Sequence, residues 1–409
     1  MIEAVAQNAR IDLSMKDPAK KLRDEHEALD SPRSAIHGMA SVGGSASELR
    51  CSSSLSENAD FITTKSEPIL VTGASGFIGS RLVQMLLDLG FQNVRCFTRP
   101  SSNKVRVSAL ADLARNGARI EMITGNLLSP EDCLAATQGV SVIFHLAAGR
   151  GEKSYPDAFM NSVVTTRNLL EASVRHGCLK RFVNISSFSV YSNRKKPRLR
   201  MLDETCPVDE RPALRGEAYC FAKAEQDEMV EEYGKKLGIP YVIVRPGQVY
   251  GPGNEGITAR VGISTFGVFL HLGGSNTIPF TYVDNCVEAI ALAGLRKGVD
   301  GEIFNVVDDD LPSSRKFLRL YKRNVKSFTS LYVPHFLNYA LCYLWEKYSS
   351  WSEVQLPPAF NRQKWHAYWK KTRYSNEKLK IRLGWKPKVT TEEGLKRFFE
   401  SCRNRIARA

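Results

Sequence analysis

Tyr219 and Lys223 stand four residues apart at the start of a segment whose spacing predicts a helix over 219–237. Four residues is about one helical turn, so both side chains lie on one face. A free phenol, with a pKa of about 10, exchanges its proton poorly near neutral pH. A neighbouring ammonium favours the phenolate and lowers that value, which makes the pair a candidate for acid/base work. On an open surface the same pair would simply be solvated, so its surroundings decide. A second chemical signal is Thr72–Gly79, TGASGFIG, with glycines at 73, 76 and 79. It follows a short β-branched run, PILVTG, and opens a predicted helix, SRLVQMLLDLG, that stops at Gly90. Gly73 permits the tight turn, Gly76 lets the backbone approach a pyrophosphate, and Gly79 lets helix and strand pack closely. The helix N-terminus then presents unpaired N–H groups to the phosphates. This predicts a dinucleotide held by Gly73, Ser75, Gly76, Phe77, Ile78 and Gly79.

The elements that must position these residues are legible as an alternation. NVRCFTR, RIEMITGN, VSVIFHLAA, RFVNISS and YVIVRPG read as further strands, with helices expected over 105–116, 157–176 and 219–237. Strands alternating with helices specify a parallel sheet covered on both faces. The expected class is α/β: a Rossmann-type doubly wound parallel sheet with a smaller C-terminal substrate lobe. Residues 1–66, polar and rich in Ser and Ala, read as a disordered extension with at most a short helix near 19–29. Residues 67–253 read as the dinucleotide-binding domain with the catalytic residues. Residues 254–409 read mostly as the substrate lobe, with some segments returning to the core.

Composition narrows the function further. The chain has 409 residues, 43% apolar and 24% charged, which excludes a wholly disordered or fibrous protein. Nine cysteines are scattered without a C-x-x-C pair, so reduced thiols, a cytoplasmic location and no metal are expected. The longest apolar stretch, Leu331–Trp345, is interrupted by Pro334, His335 and Asn338, so no transmembrane segment is expected. Met1–Arg10 lacks the basic start and apolar run of a secretory signal. The net charge of +14 is uneven: from Ser313 onward there are 22 Lys and Arg against 6 Glu, a net of +16, so the first 312 residues sum to −2. Such a segment suits an anionic small molecule, a polymer, a membrane, or only solvent. All five tryptophans also fall there, and Trp365 and Trp369 in KWHAYWKK suit a packing or lid helix better than base stacking. No nucleic-acid partner is expected; a small-molecule substrate and a homodimer are.

Taken in order, the spacing G-x-x-G-x-x-G, HLAA (145–148), Asn161 in NSVVTTRNLLEAS, RPGQVYGPG (245–253) and LGWKPKVTTEEGLKRFF (383–399) resemble the extended short-chain dehydrogenase/reductase superfamily, the NAD-dependent epimerase/dehydratase family. The resemblance spans 68–400. Thr165 and Ser192 stand where relatives usually have glycine. It implies a catalytic Ser187, three residues before Val190, with Ser186 as second choice. It also implies that Tyr219 is the acid/base and that Lys223 binds the nicotinamide ribose. Leu146, Ala147, Ala148, Asn126, Leu127, Pro246 and Gly247 are implied as further cofactor contacts. Substrate contacts are expected at Ser187, Asn161 and Arg260. Thr258–Phe280 and TYVDNCVEAIALA are expected to wall the pocket, with Asp284 closing onto the substrate.

The second strand ends in Arg99 without a carboxylate until Asp112, so NADP(H) is favoured, with NAD(H) the alternative. Ser101, Ser102 and Lys104 are expected to add contacts. Phe188 and Ser189 follow Ser187 and cannot act as acid or base, which disfavours dehydration and decarboxylation. Nucleotide-sugar epimerisation leads. The alternative is an NADPH-dependent ketone reductase or alcohol dehydrogenase, like hydroxysteroid dehydrogenases and dihydroflavonol reductases. A non-catalytic NADP-binding scaffold is the lesser alternative. His145 and His271 are expected to pack rather than react.

Overall fold

The β-branched runs become the strands of a parallel sheet in the computed structural model, which describes residues 60–103, 105, 107–109, 117–149, 154–194, 201–265, 267–352 and 360–408. The expected helix near 19–29, most of that over 105–116, and Lys104 and Asp112 lie outside the described residues. The chain runs β1 (Ile69–Thr72), α1 (Gly79–Asp88), β2 (Asn93–Thr98), β3 (Arg119–Thr124), α2 (Pro130–Thr137), β4 (Val142–His145), α3 (Tyr155–Phe159), α4 (Thr165–His176) and β5 (Arg181–Ile185). Next come α5 (Ala218–Leu237), β6 (Tyr241–Pro246), β7 (Gln248–Tyr250), β8 (Gly262–Thr265), β9 (Val268–His271), β10 (Phe280–Tyr282) and α6 (Val283–Leu295). The C-terminal part holds β11 (Ile303–Val306), α7 (Ser314–Asn324), β12 (Ser330–Tyr332), α8 (His335–Trp351), α9 (Arg362–Lys364), α10 (Glu377–Leu383) and α11 (Thr391–Arg408).

Seven parallel strands form the main sheet in the order β11-β6-β5-β4-β1-β2-β3. Strand order reverses beside β1, and a crevice opens there at the carboxyl ends of the strands, where such folds bind ligands. The central strands β1 and β4 are buried throughout because both faces are covered, whereas the edge strand β3 buries no residue fully, and alternation along the strands sorts residues between two cores. Ile69 and Val71 join the core shared with α1 and α6, whereas Leu70, between them, joins the core under α2, α4 and α5. Smaller sheets pair β7 with β10 and place β9 between β8 and β12.

Two expectations need correction. Residues 60–66 are packed rather than disordered: Phe61 stacks on Phe91, Ile62 N donates to Leu295 O, and Thr63 bonds Ser141 at 2.7 Å. These contacts, to Phe91, to α6 and to the residue before β4, order a short polar segment whose composition concealed them. The TYVDNCVEAIALA segment is core rather than pocket wall. Every residue of α6 except Asp284 is buried, and Asp284 pairs with Arg81 of α1 at 3.4 Å. LGWKP fastens onto this helix: Trp385 Nε1 donates to Asn285 O, and Asn285 Oδ1 accepts from the N–H groups of Lys388 and Val389.

Candidate active site

The phosphate loop closes on itself with almost no spare space. Gly73 has φ +68°, and a Cβ there would lie 2.9 Å from Ala147 N. A Cβ on Gly79 would lie 2.2 Å from Gly73 O, so only glycine allows α1 this near β1. Gly76 N donates to Gly73 O at 3.0 Å. No side chain caps the start of α1 and no acidic residue sits in its first turn, so the positive end of the helix dipole faces the loop without a competing carboxylate. These features fit a dinucleotide pyrophosphate.

A cavity of about 340 Å³ begins at this loop and is lined by Gly73, Gly76, Phe77, Ile78 and Gly79, then by Leu146, Ala148, Ser186, Ser187, Tyr219, Lys223, Pro246 and Gly247. Tyr219 and Lys223 come from the first turns of α5, and Ser187 from the turn after β5. Lys223 is buried and donates to Ile185 O at 2.6 Å and to Gln226 Oε1 at 2.8 Å. The chain of hydrogen bonds continues from Gln226 Nε2 to Thr166 Oγ1, which itself donates to Ser162 O. Because Thr166 donates elsewhere, His145 Nε2 donates to Thr166, and His145 Nδ1 accepts from Thr72 Oγ1. Burial, with the Lys223 charge second, holds the His145 pKa down to about 3, so the ring is neutral. His145 thus packs and links β1, β4, α4 and, through Gln226, α5.

A second buried network fixes the other side of α5. Asp227 accepts from Asn184 Nδ2, Ser186 Oγ and Arg245 Nε at 2.9, 2.8 and 3.0 Å. Arg245 also donates to Tyr191 OH, which donates to Asn305 Oδ1. Ser186 is therefore committed to Asp227, while the neighbouring Ser187 lines the cavity and its Oγ accepts from Ser189 N. Sequence reasoning missed Gln226, Asp227 and Thr166. Gln226 and Asp227 lie three and four residues beyond Lys223, so a buried face of α5 was the available signal.

A second cavity of about 300 Å³ shares Ser187, Tyr219, Gly247 and Gln248 with the first and adds Phe188, Ser189, Thr258, Ala259, Arg260 and Tyr368. Arg260 is buried, donates to Ala367 O at 3.0 Å and stands 4.9 Å from the Tyr368 ring centre. Arg215 stands 4.8 Å from the same ring, and Tyr368 OH donates to Glu217, two residues before Tyr219. Tyr368 belongs to a π-helical turn, Trp365–Trp369, within the KWHAYWKK segment, so this segment does reach the crevice, through its tyrosine. Trp369 instead packs inward and donates to Ala259 O.

Other expected site residues are not in the linings of these two cavities. Asn161 lines neither cavity; it sits on a π-helical turn, Met160–Val164, and donates to Asp157 O. Its expected substrate contact is thus not part of either lining. Ser75, Arg99, Asn126, Leu127 and Ala147 also line neither cavity. Arg99 is exposed just after β2, and Asn126 is exposed just after β3 with its N–H on Asp132. Leu127 is buried, its carbonyl accepting from Asn168. Among the described residues no cluster of His, Cys, Asp and Glu could hold a metal.

This fold and crevice define a class. The chain belongs to the NAD dependent epimerase/dehydratase family, whose sequence profile matches residues 69–306, and it is an enzyme of that extended dehydrogenase/reductase type. It is 25% identical over 360 residues to 3beta-hydroxysteroid-dehydrogenase/decarboxylase isoform 1 of Arabidopsis thaliana, covering 81% of this chain and 79% of that one. It is 30% identical over 271 residues to an uncharacterized UDP-glucose epimerase of Bacillus subtilis, covering 62% and 80%. Two longer Arabidopsis relatives are matched over only 47% and 46% of their own length. Among solved structures, UDP-glucuronic acid 4-epimerase from Bacillus cereus, in complex with UDP-glucuronic acid and NAD, superposes with a TM-score of 0.62. That match has 24% identity and covers 82% of this chain and 99% of the other, a likeness of fold.

Proposed function

We propose that this protein is a nucleotide-sugar epimerase that works by reversible hydride transfer through Ser187, Tyr219 and Lys223. The observation that carries the reading is the pair of adjoining cavities, one at the glycine loop and one at Arg260, that share Ser187 and Tyr219. A reacting carbon held between them meets cofactor on one side and substrate groups on the other. A nicotinamide held at the glycine loop and Lys223 would supply a hydride acceptor and donor, and inversion requires the bound ketone to turn its other face between removal and return. Tyr219 Oη takes the hydroxyl proton as the C–H bond breaks and gives it back when the bond re-forms. The Ser187 hydroxyl donates to the substrate oxygen and holds it at Tyr219. Lys223 supplies the positive charge that favours the phenolate, and its two hydrogen bonds to Ile185 O and Gln226 fix its position. Arg260 offers a cation to an anionic substrate group. The resemblance to UDP-glucose and UDP-glucuronic acid epimerases supports this choice of substrate.

Arg99 supports NADP(H) over NAD(H), since an exposed guanidinium after β2 suits a ribose phosphate. The same arginine favours a second reading, an NADPH-dependent ketone reductase, to which the hydroxysteroid dehydrogenase relative also points. Eight free cysteines among the described residues support a cytoplasmic setting, and a homodimer completes the proposal. The test is a panel of UDP-, dTDP- and GDP-sugars against steroid and flavonoid ketones, each with NAD and with NADPH. Interconversion of a sugar pair without net cofactor consumption supports epimerisation; stoichiometric NADPH oxidation with a ketone overturns it in favour of the second reading.

A further inference from the structure

Helix α8 has its polarity inside out. The residues it buries are Asn338, Cys342 and Ser349, while Phe336, Leu344 and Trp351 are 78%, 60% and 79% exposed. At about 100° per residue these three fall within one arc of roughly 80°, and Leu341, Tyr343 and Tyr348 widen it. A water-exposed helix of a globular protein normally shows the opposite arrangement, and an apolar face this wide, broken by one exposed lysine, Lys347, marks an interaction surface. Glu346, its one acidic residue, is half-buried and paired with Arg362 at 2.7 Å, so the exposed face carries no carboxylate.

The rim of this face is cationic. Arg315 lies 5.2 Å from the ring of Tyr332, which precedes α8, and Arg362 lies 5.0 Å from the ring of Tyr343. Lys347, within the arc itself, lies 5.8 Å from that ring, close enough for its long stem to lie along the apolar face while its ammonium meets a phosphate. From Ser313 to Trp351 the sequence has seven Lys and Arg against one Glu. On α7 the apolar Phe317 and Leu318 are buried while Arg315, Lys316, Arg319 and Arg323 are exposed. No described helix is long and apolar enough to cross a membrane.

We propose that α8 and its basic rim dock this enzyme on an anionic phospholipid surface, with the helix lying in the plane of the interface. Aromatic and leucine side chains would enter the headgroup boundary, and the surrounding Lys and Arg would face lipid phosphates and carboxylates. Charge argues against a second copy of the chain as occupant, because a symmetric contact would set one basic rim against another. The surface also communicates with the active site: Tyr339 of α8 packs on Trp365 at 4.9 Å, in the turn that carries Tyr368 to the second cavity.

The test is flotation of the full chain with vesicles of phosphatidylcholine alone and of phosphatidylcholine with phosphatidylserine, at about 0.1 M and about 1 M salt. Binding to the phosphatidylserine vesicles is expected, weaker on neutral vesicles and weaker at high salt. Brominated acyl chains should quench part of the tryptophan fluorescence, through Trp351. The variant F336E/L344E/W351E should lose about tenfold or more in vesicle affinity, because apolar insertion is removed, with an unchanged melting transition. An Arg315→Glu variant should weaken binding to anionic vesicles only. Absence of binding at low salt overturns the proposal, as does full binding by the triple variant, which would reduce it to charge alone. A dimer that the triple variant splits in sedimentation equilibrium, without vesicle binding, overturns it in favour of a second copy.

Discussion

Arg245 Nε donates to Asp227 Oδ2 at 3.0 Å, with the two side chains only 2% and 3% exposed. The pair ties β6 to α5, and Asp227 reaches β5 and the turn after it through Asn184 and Ser186. The elements that carry Ser187, Tyr219 and Lys223 thus meet at one buried carboxylate. Burial pushes the Asp227 carboxyl up and Arg245 pulls against it, so the pair holds its charges only as a pair.

Removing the charge from one partner should therefore cost stability first. Asp227→Asn leaves a buried guanidinium uncompensated, and the expected loss is about 3–5 kcal/mol in urea unfolding. A loss under about 1 kcal/mol would show that Arg245 finds other partners.

Tyr219→Phe keeps the ring and removes the proton. Turnover should fall roughly 10²–10⁴-fold while cofactor affinity, measured by calorimetry, stays nearly constant. Lys223→Met should damage both rate and cofactor affinity, and should also loosen the buried Gln226–Thr166–His145 chain. Near-normal turnover by Tyr219→Phe would remove the proposed mechanism.

Arg99→Asp should swing the dinucleotide preference toward NAD(H). The intact protein is expected to prefer NADP(H) by roughly 10-fold, the worth of one charge-assisted contact. Equal calorimetric affinities of the intact protein for the two cofactors would take away the role of Arg99.

Gly79→Ala should fail at packing before chemistry. Its Cβ would sit 2.2 Å from Gly73 O, and overpacking against backbone costs about 1–3 kcal/mol. Dinucleotide affinity should fall with it, because α1 must move off β1. Unchanged affinity and melting temperature would contradict the close approach.

Acid should destabilise the fold through His145. Its folded pKa is about 3 against an ordinary 6.5, so the unfolded chain binds the extra proton between those values. The stabilisation is complete above pH 6.5 and is lost as pH falls toward 3. His271 and His366, each held near 4 chiefly by burial, act in the same direction. Asp308, raised to about 6 by burial, acts in the opposite direction. His145→Gln keeps a hydrogen-bonding side chain but cannot titrate, so its melting temperature should fall less steeply over this range.

The sheet was legible because its strands are short apolar runs spaced by glycine-ended helices, and the loop at Gly73–Gly79 because glycine is demanded there by contact distance. Strand β11 was not anticipated: IFNV is four residues long, and its partner β6 lies 60 residues earlier. Tyr368 escaped for the same reason, since only tertiary packing brings 368 beside 260 and 219. Asn161 was placed at the substrate by resemblance alone; in the fold its amide donates to Asp157 O and it is in neither cavity lining. Residues 60–66 were misread because several long-range contacts outweigh a polar composition.

The helical rod from Tyr155 to His176 contains a π-helical turn at Met160–Val164. Such a turn accommodates one residue more than an α turn. Upstream of it, Tyr155 and Phe159 meet Phe221 of α5; downstream, Leu169 and Leu170 lie under the sheet. Without the wide turn, one added residue would rotate one of these faces by about 100° away from its partner. The rod therefore has a single place where its length is adjustable. Shortening the chain by one residue between 160 and 164 would tighten the turn to α and leave both contact faces in register, whereas the same deletion within Thr165–His176 would rotate the remainder of the helix out of the core.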